Sequence, residues 1–283
     1  MSNLRELKKH LASVEMTGQM AGAMKTASAV KFSKISAALE RFSGYAGACS
    51  ALRERFGSAL AEAYPAGNPD APPCYVILGA NRGLCGGYNI ALYEYADRLI
   101  GQSPRRPLLI TAGRHAEAHF RDRGIEPDAA FVLSDAPDAA EAGPVLEAAL
   151  SFWQEGRASS VVLVWQRFVN TLTQVPDSFV LLPLKSGAGS GDRESAGDRI
   201  EPLFLPDRET VLRAAADACV RADFLSRIFE AGAGHQAATL ATMRSAYDNA
   251  EETAAALTAE ISHRRQSEVT SSVIETAGGN AGR

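Results

Sequence analysis

Apolar residues recur at steps of three and four along both ends of this 283-residue chain. From Asn3 to about Ala63 they fall at Leu4, Leu7, Leu11, Val14, Met20, Met24 and Ala27. They continue at Ile35, Leu39, Phe42, Cys49, Leu52, Phe56 and Leu60, with no proline in the interval. That spacing marks one face of an α-helix. From Asp207 to about Thr276 the period returns at Leu212, Ala215, Cys219, Ala222, Leu225 and Phe229, then at Leu240, Met243, Tyr247, Ala250, Ala254, Leu257 and Ile261. Gly232 and Gly234 are the places where this second helix is expected to bend or break. At the helical rise, some 55 residues extend about 80 Å, against about 50 Å for a compact globule of this length. The pattern predicts two long terminal helices that project from a smaller body.

All thirteen prolines lie between Pro65 and Pro206, and there the period changes. "CYVIL", "PLLITA", "AFVLS" and "SVVLVWQRF" read as strands, alternating with helices at "NIALYEYADRLI", "GRHAEAHFRDR" and "GPVLEAALSFW". Strand–helix alternation predicts a small parallel sheet, and "FVNTLTQVPDSFVLLPL" adds a hairpin. Lys185 to Asp198, without apolar periodicity, reads as a flexible loop. The fold class is therefore α/β: an antiparallel coiled coil of terminal helices around a central Rossmann-like domain. The boundaries are 1–64, 65–206 and 207–283.

Composition and charge narrow the function. Hydrophobic residues make up 46% and charged ones 22%, which supports a packed core. A net charge of −4 argues against wholesale nucleic-acid binding. No apolar run approaches the length of a membrane span, and "MSNLRELKKH" lacks the apolar core of a signal peptide. Cys49, Cys74, Cys85 and Cys219 have no zinc-type spacing and read as free thiols. His115 and His119 sit one helical turn apart but lack an obvious third metal ligand. The stretch from Glu126 to Glu155 carries seven acids and no base, which reads as a solvated face or a docking patch. Residues 1–41 carry seven bases against three acids, a weak basic strip.

Two stretches carry more information. In "YVILGANRGLCGGYN" a strand runs into Gly79, Gly83, Gly86 and Gly87, with Asn89 placed to cap the following helix. A dinucleotide loop needs G-x-G-x-x-G, and a P-loop needs a lysine; the glycine order here is different, and no lysine occurs between Lys34 and Lys185. The loop reads as a tight turn needing glycine's positive φ, or as a rigid mount that presents Arg82 to a partner. In "MTGQMAGAMKTASAVK" Gly18 and Gly22 each cost about 1 kcal/mol in a helix relative to alanine. Small residues there admit a second helix, or make a surface that touches a partner without gripping it.

At these residues the chain resembles the gamma subunit family of rotary ATP synthase. "NRGLCGGYN" matches the family's loop, with Asn81 where the family has aspartate. Thr17, Met20, Ala23, Met24 and Lys31 match its first helix, with Gly18 in place of a glutamine. Phe168 to Pro176, Leu181 to Leu184, Arg265, Gln266, Val269 and Thr270 match further motifs. Ser271 and Ser272 replace a Gln-Glu pair, and Gly234, His235, Thr239 and Leu240 replace the family's Ser, Glu, Arg and Met. The chain reads as a divergent member whose departures fall on polar contact residues.

The resemblance implies a non-catalytic rotor shaft that couples ion-driven rotation of a membrane ring to ATP synthesis or hydrolysis in other subunits. It implies as partners the alpha and beta subunits of the catalytic ring, the epsilon subunit and the membrane c-subunit ring. It implies no cofactor, no metal, no nucleic acid and no direct membrane insertion, with peripheral placement at the cytoplasmic face of a bacterial cell membrane. The expected partner contacts are Met24, Lys31, Arg82, Cys85, Arg265, Gln266 and Thr270. Lys31 and Arg265 read equally as solvated charges, and Met24 and Cys85 equally as core. Two other readings stay open: a Rossmann-like nucleotide-binding enzyme with helical dimerisation arms, and a coiled-coil scaffold.

Overall fold

A computed structural model describes residues 2–184 and 203–280; the expected loop from Lys185 to Asp198 lies outside them. The described elements run α1 (Ser2–Ala63), β1 (Pro73–Leu78), α2 (Tyr88–Gln102), β2 (Leu108–Ala112), α3 (Arg114–Asp122), β3 (Ala129–Phe131), α4 (Ala139–Gln154), β4 (Ser160–Phe168), β5 (Gln174–Leu182) and α5 (Arg208–Asn280). The chain divides into two compact units: residues 1–28 with 239–283, and residues 29–238.

The larger unit is built on a five-stranded sheet in the order β3-β2-β1-β4-β5. The pairs β1–β2, β1–β4 and β2–β3 are parallel. The β4–β5 pair is the predicted hairpin, antiparallel with a register shift between Val161 and Val162. β1 is buried almost throughout, as a central strand covered on both faces must be. Its side chains sort by the two-residue period of a strand. Cys74, Val76 and Leu78 join one core with Val161, Leu163 and Trp165. Tyr75 and Ile77 join the other with Leu92, Tyr93, Leu109 and Phe120 of α2, β2 and α3.

The first of these cores holds Val145, Leu146 and Trp153 of α4. It also holds Ile35, Cys49 and Leu60 of α1, and Leu212, Cys219, Phe224 and Ile228 of α5. Residues from both terminal helices are thus structural members of the sheet domain, and this core crosses the sequence boundaries at 64/65 and 206/207. The predicted long first helix is present as α1, with one local irregularity. Phe56 has non-helical angles (φ −124°, ψ 19°), a kink within α1. There Phe56 packs edge-on to Phe204 with centroids 6.3 Å apart.

α5 runs through Gly232 and Gly234 without interruption. At both glycines a Cβ would make only ordinary van der Waals contact. A Cβ on Gly232 would stand 3.4 Å from Ile35, and one on Gly234 3.4 Å from Gln174. α4 starts where Asp138 accepts from the backbone N–H groups of Ala140 and Glu141, each at 2.9 Å.

In the smaller unit α1 and α5 pack on each other. A Cβ on Gly18 would meet that of Ala250 at 3.1 Å, and one on Gly22 would meet the Tyr247 ring at the same distance. Advancing along α1 means retreating along α5, so the pair is antiparallel. The two glycines are the close-approach positions of that seam, where an added Cβ would crowd the facing helix. The Lys25 ammonium sits 4.1 Å from the centre of the Tyr247 ring.

Candidate partner-contact surface

The glycine loop leaves β1 at Gly79, and here a side chain is sterically excluded. A Cβ would stand 2.8 Å from Ala116 and 3.0 Å from the Tyr93 hydroxyl. Gly86 takes the positive φ expected of the turn (60°), but so does Leu84 (63°), a non-glycine residue. Gly83 and Gly87 meet no close neighbour. The loop's shape therefore rests on two glycines and a leucine rather than on four glycines.

Asn89 does not cap α2; Gly87 occupies that place without a side-chain bond. Instead the Asn89 amide spans the loop from inside, accepting from Ala80 N–H (3.4 Å) and donating to Cys85 Sγ (3.5 Å). Asn81 ties the loop outward. Its amide donates to the Leu133 carbonyl, and its oxygen accepts from Arg114 N–H at 3.2 Å. A carboxylate accepts but cannot donate, so the aspartate of the family's motif could not make both bonds.

The loop rests on α5. Cys85, Tyr88 and Ala238 form one small apolar cluster. The Tyr88 hydroxyl donates to the Ala231 carbonyl at 2.9 Å, and its ring meets His235 edge-on at 5.6 Å. Burial pushes the Cys85 thiol above its usual range. With 3% of its surface exposed, Cys85 takes the core role of its two readings.

Lys31 and Arg82 line the same cleft, of about 690 Å³, with Lys34, Arg114, Asp135 and Glu141. Four cations face two carboxylates there. Lys31 is half-exposed and paired to Asp135 at 2.6 Å. Burial pushes the Asp135 carboxyl up, but the bonded Lys31 ammonium, helped by Arg82 and His235, brings it below the usual carboxylate range. Arg82 is exposed, and no ion pair involves its side chain among the described residues. Lys34, Arg114 and Asp135 were not legible as a group, because the chain brings them together from α1, α3 and the loop after β3.

The other expected contacts lie in the smaller unit. Met24 is half-buried, while Arg265, Gln266 and Thr270 are exposed. The facing pairs Gly18–Ala250 and Gly22–Tyr247 place Met24 near the level of residue 245. Arg265 to Thr270 stand 20 to 25 residues beyond that level, about 30–40 Å along the helix. The structure therefore keeps Met24 apart from that trio.

The acidic stretch from Glu126 to Glu155 is largely the solvated face expected, with six of its seven acids exposed and Asp135 half-buried, and several of these acids also make local ties. Glu126 pairs with Arg121, and Asp128 accepts from Leu109 N–H at 2.8 Å. Asp135 pairs with Lys31, Asp138 caps α4, and Glu141 accepts from Ser134 N–H at 2.9 Å. His119 stacks on Tyr93 (4.6 Å between centroids) and contacts Asp97 at 3.2 Å. Among the described residues no group of three or more His, Cys, Asp or Glu side chains could hold a metal ion.

Ligands of open parallel sheets bind at the carboxyl ends of the strands. Here Ile228, Ala231 and His235 of α5, with Tyr88, leave about 40 Å³ beside Leu78 and Ala112. That is room for about one water molecule.

A profile of the ATP synthase family matches residues 3–282. An ATP synthase gamma chain from Desulforamulus reducens is 30% identical, with 99% of each chain covered. One from Rubrobacter xylanophilus is 29% identical over 99% of this chain and 98% of its own. The fold is similar to that of a chain in the Euglena gracilis mitochondrial ATP synthase OSCP/F1/c-ring structure. The TM-score is 0.66 at 15% identity, covering 99% and 94% of the two chains. It is also similar to a chain of the Tetrahymena thermophila central stalk and c-ring, with TM-score 0.60, 16% identity, and 80% and 99% covered.

Proposed function

The chain belongs to the ATP synthase gamma-chain family, and from that membership we propose that its cation-rich cleft faces the catalytic ring. A gamma chain is a non-catalytic subunit, the central rotor stalk of the F-type enzyme; ATP chemistry takes place in the beta subunits. The observation that carries the surface assignment is Arg82: exposed, mounted on a loop fastened from both sides, and without an ion pair among the described residues.

In this reading Arg82, with Lys31 beside it, contacts the alpha and beta subunits. Met24, Arg265, Gln266 and Thr270 contact them from the two-helix unit. Cys85 acts indirectly by holding the loop. The epsilon subunit and the c-subunit ring are the further partners, consistent with the rotor, c-ring and central-stalk assemblies to which the fold is similar. Coupling follows from asymmetry. A turning shaft offers each catalytic subunit a different face, and differential contact shifts each between nucleotide-binding states. No described helix is long and apolar enough to cross a membrane. Bacterial gamma chains among the relatives support peripheral placement at the cytoplasmic face of a bacterial membrane.

The test pairs two measurements on Arg82→Ala and Gln266→Ala. Thermal unfolding of the isolated chain should be nearly unchanged, while ion-driven ATP synthesis per assembled complex should fall. Loss of several kcal/mol of chain stability would show the residue to be structural. Unchanged stability and unchanged synthesis would remove it from the contact surface.

A further inference from the structure

Two of the four cysteines are neighbours in space although 170 positions separate them in the chain. The Cys219 thiol of α5 donates to the Cys49 carbonyl of α1 at 3.4 Å. The Cys49 side chain also helps to raise the Cys219 thiol above its usual range. Cys49 is 4% exposed and Cys219 fully buried. Tyr45, one turn before Cys49, is half-exposed. Cys74 and Cys85 are different. Cys74 lies in the sheet with Asp128 and Arg157 as its charged neighbours, and Cys85 bonds within its own loop. The fold thus sorts four thiols into one facing pair and two singletons.

We propose that Cys49 and Cys219 are a redox site that closes into an intrachain disulfide tying α1 to α5. The reaction is an exchange with a small-molecule disulfide. A thiolate of the pair attacks the reagent, giving a mixed disulfide and one released thiol. The second cysteine then attacks that mixed disulfide and releases the second thiol. One sulfur–sulfur bond breaks in the reagent and one forms in the protein. Two electrons and two protons pass from the cysteines to the reagent, whose two halves leave as thiols.

The thiolate is the attacking species, and the surroundings of Cys219 oppose it. Burial foremost, and then the neighbouring Cys49, push the Cys219 thiol up to about 11; Arg53 pulls it down and Asp223 pushes it up. Exchange should therefore be slow at neutral pH and faster in alkaline buffer. The inference concerns this chain alone and stands apart from the assignment of partner contacts.

The experiment treats the purified full-length chain with oxidised glutathione at pH 8.5. In one arm the chain is folded; in the other it is diluted out of urea in the presence of the reagent, so that access to the pair is not limiting. Free thiols are then alkylated after denaturation, and peptides are mapped by mass spectrometry without reduction. The expected product is a cross-linked peptide pair containing Cys49 and Cys219, two hydrogens lighter than the sum, with Cys74 and Cys85 alkylated. The linked chain should melt at a higher temperature than the reduced one, and dithiothreitol should abolish the difference. Cys49→Ser and Cys219→Ser should each abolish the cross-link. If the refolding arm yields no Cys49–Cys219 link, or glutathione adducts on single cysteines dominate it, the pair is a packing contact and the proposal fails.

Discussion

α1 and α5 are held in two different ways along their length. Between residues 29 and 238 they are layers of a sheet domain. Phe224, Ile228 and Leu60 share a core with β1 and β4, and Phe224 is wholly buried. In the unit made of residues 1–28 and 239–283, each helix has chiefly the other to pack against. Its buried side chains are few and mostly small, such as Ala21 and Ser28, with Met243 and Leu257 as the larger ones. Met16 and Met20 meanwhile stay more than 60% exposed. The first arrangement draws stability from large side chains, and the second from close backbone approach. The difference teaches that an identical helical period can serve a deep core or a narrow seam, depending on what the other faces meet.

The largest test of that contrast is Phe224→Ala. Emptying a fully buried aromatic site should cost about 3–5 kcal/mol in chemical unfolding, whereas Met20→Ala should stay within about 0.5 kcal/mol. Equal losses would erase the distinction between the two units.

Next comes Gly22→Leu. The added side chain starts 3.1 Å from the Tyr247 ring, so overpacking should destabilise the seam by about 1–3 kcal/mol. Amide hydrogen exchange should rise around residues 240–257 and stay unchanged in the sheet.

A mid-helix glycine outside the seam should behave oppositely. A Cβ on Gly44 would meet nothing within 4 Å, so Gly44→Ala should stabilise the chain by up to about 1 kcal/mol through helix propensity. A loss on thermal unfolding would mean that the position has an unseen packing role.

His235 ties stability to pH. Burial holds its imidazole below the ordinary 6.5, against the raising pull of Asp135. As pH falls through 6.5 the unfolded chain takes up this proton before the folded chain does. The unfolded state is then favoured, and stability declines towards the lowered folded value. His235→Gln should flatten that decline in melting temperatures measured from pH 7.5 to 5. An unchanged slope would assign the acid sensitivity to other groups.

The smallest expected stability change is at Arg82→Ala, within about 0.5 kcal/mol. Its effect should appear only in the assembled complex, where a desolvated contact can cost several times as much.

The strands were legible because a buried parallel strand is an apolar run bounded by turn residues, and β1, β2 and β4 follow that form closely. The hairpin was legible from "FVNTLTQVPDSF". The kink at Phe56 was not, because the apolar period passes through it unchanged. Asn89 misled, because asparagine before a helical run has the residue type of a cap while its amide was needed inside the loop. At the candidate surface Arg82 was readable from its place on the glycine loop. Asp135 was not, since an acid between other acids looks solvated until its lysine partner is seen 104 positions away.

By itself the sequence determined the elements, their type and order, and the family, because periodicity, proline placement and the loop motif are local properties of the chain. Tertiary structure alone decided which residues meet. It made part of each terminal helix core for the sheet, and turned Gly18 and Gly22 into close-approach positions. It paired Lys31 with Asp135 and brought Cys49 to Cys219. The physical reason is that a side chain's energy depends on its neighbours across the core. Those neighbours come from distant stretches that no local pattern connects.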